Sequence, residues 1–324
     1  MSHDKKILNI TNGDSAIRIM QQAKLTGDFL PWRDVLHDGP VPAGLNLEEL
    51  SKIRADFIVE QGWGSADDVH NSFIERDKQL QAYQDYDEII LWFEHDLYDQ
   101  LQILQILDWL ADQTLKSGQL SIICTDNYLG YCSPEEILAL QQYKEKVSEQ
   151  HLHLAKKSWH AFRSSTPQKW ADLLETDTSI LPFLRKTILR LLAEYPSCEN
   201  GLSLTAQITL KIISKEKLSP YDLFERYQKS EENQFLGDSS FWKLLNELLA
   251  SNPPLIEVPT SENFALKPKP EQQANITSIG EKVLLGECHY LEMIEIERWI
   301  GGVHLSKGNI WCWDSGKESL QEMT

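Results

Sequence analysis

Residues 88–100 read EIILWFEHDLYDQ. The run Glu88–Phe93 has the length of a strand and no polar alternation, the pattern of a strand covered on both faces in a parallel sheet. It passes directly into three ionisable residues, Glu94, His95 and Asp96, and then into a helical pattern from about Leu97 to Leu115. A strand turning into a helix through a charged corner is the repeating unit of an open α/β fold. Successive strand residues point to opposite faces, so Glu94, His95 and Asp96 converge only where the chain turns.

Outward from this segment the same unit recurs. KILNITN (6–12) reads as a buried strand ending at Gly13, with Ile17, Met20 and Ala23 spacing a helix behind it. A short strand leads into Leu30–Pro42, where Pro31, Pro40 and Pro42 oppose helix. Asn46 with Glu49, and Ser65 with Asp68, read as caps that open helices through about Gln61 and Gln84. Leu120–Cys124 is a further apolar strand. Ser133, Pro134 and Glu136 start a helix that extends, with or without a break, to Phe162. The order predicts an α/β class. An open, mainly parallel, Rossmann-like sheet with flanking helices occupies residues 1–163.

Residues 164–324 have another texture and are expected to form a mainly helical C-terminal domain. SSTPQKW reads as a connector, followed by helices at 180–195, 203–214, 219–229 and 238–251. Strand candidates Leu255–Val258 and Phe264–Lys267 precede a helix near Thr277–Leu285. Helices followed by a small hairpin suit a winged-helix arrangement. Gly301-Gly302 marks a tight turn or a close backbone approach, and Trp299, Trp311 and Trp313 read as packing residues.

Composition narrows the partners. The 324 residues are 41% hydrophobic and 25% charged, which supports a packed core. Net charge is −18, acids exceed bases in both halves, and no dense basic run exists, so nucleic acid is not an expected partner. No apolar run approaches the roughly 20 residues needed to span a bilayer, and MSHDKKILNITNG lacks a signal-peptide core. Five scattered cysteines without a CxxC pair read as reduced thiols. A cytoplasmic protein without a membrane partner is expected.

Ligands of open parallel sheets bind outside the carboxyl ends of the strands. Each such end here carries a polar cluster: Asn12-Gly13-Asp14-Ser15, then Trp32-Arg33-Asp34 with His37 and Asp38, then Glu94-His95-Asp96 with Asp99 and Gln100, and finally Thr125-Asp126-Asn127. Every cluster also has a local role open to it. Asp14 and Ser15 suit a helix cap, Asp34 and Asp38 suit Asx turns beside the prolines, and Asp96 suits the cap of the next helix with His95 a structural side chain.

Three segments, LNITNGDSA (8–16), LPWRDVLHDGPVP (30–42) and ILWFEHDLYDQLQIL (90–104), resemble those of bacterial proteins carrying domain of unknown function 1835. The resemblance continues through SPEEI (133–137). FLGDSSFW (235–242) and RWIGGVHL (298–305) are similar to the companion C-terminal region of such proteins. The resemblance implies architecture and site location but no activity.

Several chemistries fit these residues. In the first, the protein is a hydrolase, a transferase or a binding protein for a small phosphorylated or nucleotide-like ligand. Asn12, Gly13, Asp14 and Ser15 would cradle an anion and Arg33 would clamp it, with Trp32, Asp38, Glu94, Gln100 and Asp126 nearby. His37 and His95 would transfer protons, oriented by Asp34 or Asp96. Neither GxxxxGK[ST] nor GxGxxG is present, so no particular cofactor is indicated. A second chemistry is a divalent metal drawn from His37, His95, Asp34, Asp38, Glu94 and Asp96. Third, ILNITNGDSA resembles the opening block of the GDS-type esterases. Ser15 would then be the nucleophile and Asp34 with His37 its activating pair, although that family carries the pair near its end. The non-catalytic alternative is a ligand-sensing regulator or interaction protein built on the winged helix.

Overall fold

The computed structural model of the chain describes residues 5–259 and 263–323. Apolar runs become strands and capping residues open the helices. The order begins β1 (Ile7–Thr11), α1 (Asp14–Gln22), β2 (Asp28–Pro31), β3 (Gly39–Pro40), α2 (Leu47–Glu60), α3 (Ala66–Gln81) and β4 (Glu88–Phe93). It continues α4 (Leu97–Ala111), β5 (Leu120–Cys124), α5 (Pro134–Leu140), β6 (Glu145–Lys146) and α6 (Glu149–Phe162). Asn46 and Ser133 each close a capping box, with Glu49 and Glu136, and Ser65 accepts the Asp68 N–H. The helix that opens at Pro134 breaks after Leu140, where the chain inserts β6 before α6.

The main sheet runs β2-β1-β4-β5-β6. Its first four strands are parallel, and β6 is an antiparallel edge on β5. Every residue of β4 is buried, as its unbroken apolar run requires. Parallel strands put their carboxyl ends on one edge. The chain leaves β1 for β2 on one side and reaches β4 on the other, so the switch point lies between β1 and β4.

Beyond α6 come α7 (Gln168–Ala171), α8 (Leu184–Leu192), α9 (Leu204–Ile213), α10 (Pro220–Ser230), α11 (Asp238–Ala250), β7 (Ile256–Glu257), β8 (Asn275–Ile276) and α12 (Ser278–Leu284). The chain closes with β9 (Arg298–Gly301), β10 (Val303–Leu305), β11 (Ile310–Asp314) and β12 (Ser319–Met323). The strand expected at Phe264–Lys267 does not form. The Phe264 backbone is satisfied by Asn246 of α11 through bonds of 2.7 and 2.8 Å, and β8 pairs with β7 instead. No helix among the described residues is long and apolar enough to cross a membrane.

One core covers one face of the sheet and crosses residues 163–164: it takes in Trp170, Leu184 and Ile188, then Ile300, Val303, Leu305, Trp311 and Trp313. A second core joins α9 to α12 with β7 and β8. β9 lies parallel to β3, and the Val41 N–H donates to the Gly301 carbonyl at 2.8 Å. Gly301, at φ 59°, and Gly302 lie against the end of α6. A Cβ on Gly301 would sit 2.4 Å from the Phe162 carbonyl oxygen, and one on Gly302 2.0 Å from that of Arg163. The glycine pair thus marks a close backbone approach.

The loop between β2 and α2 is fixed by Arg54, whose side chain is fully buried. Its Nε donates to Asp34 Oδ1 at 2.9 Å, and its two amino groups donate to the carbonyls of Val35, Asp38 and Pro40. Removing one member of a buried ion pair leaves the other charge uncompensated and costs about 3–5 kcal/mol. Arg54→Met is therefore expected to lose about that much stability in denaturant unfolding. A loss under about 1 kcal/mol would show that the loop does not depend on this contact.

Candidate functional site

The carboxyl ends of β1, β2, β4 and β5 bring together part of what the sequence marked. At the centre, the chain turns after Phe93 and gathers Glu94, Asp96 and Asp99, each at most 5% exposed. One oxygen from each lies within 4.8 Å of the others. The Asn12 amide, from the end of β1, bridges two of them, donating to Glu94 Oε1 at 3.0 Å and Asp99 Oδ2 at 2.8 Å. Glu94 also accepts the Leu129 N–H at 2.7 Å, and Asp99 Oδ1 accepts the Glu94 N–H at 2.7 Å. Asp96 caps α4 through the Asp99 N–H, and Gln100 donates to the Glu94 carbonyl at 2.6 Å.

Burial dominates the electrostatics of this cluster. It raises the Glu94 carboxyl, and burial together with the neighbouring Glu94 charge pushes Asp96 up to about 7. Asp99, facing both other carboxylates, lies well above the ordinary range. Three carboxylates so close cannot all ionise unless a cation joins them. The cluster therefore either retains protons at neutral pH or holds a hard divalent cation, for which an all-oxygen donor set suits magnesium, manganese or calcium.

His95 points the other way, as strand alternation requires. Its ring packs on Tyr128 and Phe183, and burial lowers its pKa. Asp126 is exposed on the loop after β5, close enough for its charge to act on His95.

The β2 loop divides its residues between support and cleft. Trp32 is fully buried, with its indole N–H on Gln105 and the Arg76 guanidinium over its ring, so it is a core side chain. Asp34 is committed to Arg54, and among the described residues it makes no hydrogen bond to His37 or Ser15. Asp38 forms an ion pair with Lys243 of α11, which holds its carboxyl below the usual range. Arg33 is bidentate to Asp14 at 2.6 and 2.7 Å on the exposed rim. Gly13 is the N-cap of α1 in an extended conformation, without a side-chain cap bond. His37 is 5% exposed, and neither ring nitrogen has a hydrogen-bond partner among the described residues. Burial pulls its pKa down to about 4, so the imidazole is neutral at pH 7.

Ser15, Arg33 and His37 line one wall of a cleft of about 940 Å³, together with Tyr98, Tyr128 and Tyr131. The opposite wall comes from the C-terminal half: Tyr221 and Phe224 of α10, then Gln234, Phe235 and residues 236–240. The Gln234 N–H donates to the Tyr128 hydroxyl at 2.6 Å across the junction. These C-terminal residues were not selected from the sequence, although FLGDSSFW was singled out for its family resemblance. Asp99 stood in a marked cluster but without a role. Nothing local shows that the Asn12 amide reaches it across 87 positions. Comparison of the chain with known protein families and with curated proteins finds no match.

Asp96 has a folded pKa above its unfolded value, so the unfolded state binds fewer protons between about pH 4 and 7. Stability from this group is full below about pH 4 and is lost as pH rises through 7. The ion-paired Glu88 and Glu194, held near 2, act in the opposite sense only at lower pH, and the buried His37, pulled down to about 4, does so between about pH 4 and 6.5. Chelator-treated wild type is therefore expected to lose stability relative to Asp96→Asn from pH 5 to 8, where the His37 contribution is common to both, and magnesium or manganese is expected to reverse that relative loss at pH 8. A wild-type profile parallel to that of Asp96→Asn would rule out a proton-loaded cluster.

Proposed function

We propose that the chain binds and acts on a small nucleotide-like ligand in the cleft at the carboxyl edge of the sheet. The observation that carries this reading is the cleft itself: about 940 Å³, walled by Tyr98, Tyr128, Tyr131, Tyr221, Phe224 and Phe235. Its volume is that of a small-molecule site, and its ring faces favour a planar heteroaromatic ligand. Arg33 at the rim offers an anionic group a bidentate contact in exchange for Asp14. Neutral His37 supplies hydrogen bonds, while the acidic cluster behind Tyr98 supplies protons or holds a cation for hydrolase or transferase chemistry. A cytoplasmic setting and kinship with domain of unknown function 1835 belong to the same proposal.

A second reading, a ligand sensor with a winged-helix C-terminal part, draws support from α10 and the segment before α11, which form the far wall. In it, α9–α11 and the β7–β8 pair make up the winged helix, and ligand closure on α10 is the signal. Product formation separates the two: the enzyme converts its ligand, and the sensor releases it unchanged.

A thermal-shift panel of nucleosides and nucleotides tests the proposal. A ligand at 100 times its dissociation constant adds about 2.7 kcal/mol. Tyr131 is 84% exposed, so Tyr131→Ala is expected to remove most of the shift without lowering the melting temperature of the free protein. Arg33→Ala should weaken nucleotides and spare nucleosides. A silent panel, or shifts unchanged in both variants, would overturn the reading.

A further inference from the structure

Two helices that open on the cleft start with the same three residues. α1 begins at Gly13-Asp14-Ser15 and α11 at Gly237-Asp238-Ser239, each with the glycine as N-cap and no side-chain cap bond. Ser15 borders the cleft on one wall, and residues 237–240 border it on the opposite wall. α4 and α10, whose first turns also reach the cleft through Tyr98 and Tyr221, are capped by Asp96 and Ser219. The first N–H groups of a helix find no carbonyl within it. A glycine cap therefore leaves donors, and the positive end of the helix dipole, open to an anion.

Buried side chains beside α11 point to the same kind of ligand. Asp238 is exposed, and its Oδ1 accepts the Ser239 N–H at 2.7 Å. The Ser240 N–H and the Ser240 hydroxyl have no hydrogen-bond partner among the described residues, although Ser240 is only 8% exposed. His37, buried with both ring nitrogens unpartnered among the described residues, borders the cleft and shares with Ser240 a small recess behind it. Of the acids at this recess, Asp38 is paired with Lys243, Glu194 with Arg190 and Arg298, and Glu247 is exposed. Enclosed polar groups without partners are unfavourable, and here donors outnumber acceptors: an N–H, a hydroxyl and one imidazole N–H.

We propose that the first turn of α11, with Ser240 and His37, is a second anion site. The cleft then takes a nucleoside bisphosphate whose two phosphates stand apart. One phosphate lies at α1, where Arg33 is already bidentate to Asp14, and the other lies at α11, with the base against the rings between them. The inference rests on the cleft reading and narrows its ligand class.

Titration calorimetry on the full chain with adenosine 3′,5′-bisphosphate, the 3′- and 5′-monophosphates and adenosine diphosphate tests it. The bisphosphate is expected to bind at least tenfold tighter than either monophosphate, and tighter than the diphosphate, whose phosphates are adjacent. Gly237 has ordinary extended angles and open space at its Cβ position, so Gly237→Asp introduces a capping carboxylate without strain. That carboxylate should occupy the α11 donors and abolish the advantage of the bisphosphate, with the melting temperature of the free protein not lowered. Gly237→Ala, which adds no acceptor, should keep the advantage. Binding of monophosphates with no gain for the bisphosphate, or an undiminished gain in Gly237→Asp, overturns this inference and leaves the cleft reading standing. If no nucleotide binds the wild type, both fall. The wild-type comparison decides the question even if a variant fails to fold.

Discussion

A single guanidinium, sealed from solvent, holds the part of the molecule on which the rest is hung. Arg54 supplies Asp34 with its counter-charge and three loop carbonyls with donors. One planar group thus ties three carbonyls between Val35 and Pro40 at once, which favours a single conformation of the loop. That conformation places His37 in the cleft wall and Asp38 against Lys243. It also lays β3 where β9 can pair with it. One wall of the cleft thus follows from a contact that does not itself line it.

The acidic cluster is built on the opposite logic. Instead of pairing a buried charge, the turn after β4 crowds three carboxylates behind the sheet edge and gives them neutral donors, the Asn12 amide and backbone N–H groups. Neutral donors moderate the repulsion without cancelling it. A fold that keeps such a cluster at its switch point carries electrostatic stress where open α/β proteins do chemistry, which is where perturbed groups concentrate.

The sheet was legible because its signals are local. An unbroken apolar run of strand length fits a fully covered strand, and the caps at Asn46, Ser65 and Ser133 lie within three residues of the N–H groups they satisfy. Strand alternation allowed Glu94, His95 and Asp96 to converge only at a turn, and the turn after Phe93 brings Glu94 and Asp96 together with Asp99. Other assignments depended on distant partners. Asp34 looked like a proton relay until Arg54, twenty positions on, claimed it. Phe264–Lys267 has the apolar character of a strand, but Asn246 satisfies the Phe264 backbone and removes the reason to pair. Half the cleft wall comes from a segment more than a hundred residues from the strands it faces, beyond any periodicity.

The packing of the last strands has a consequence for biosynthesis. Trp311 and Trp313 fill the core around a sheet whose first strand begins at Ile7, and β3 finds its partner only at Ile300 and Gly301. A nascent chain on the ribosome has made the whole sheet long before it has made these residues. The sheet must therefore wait with part of its apolar flank uncovered until residues 300–313 have emerged, a kinetic exposure that favours chaperone capture.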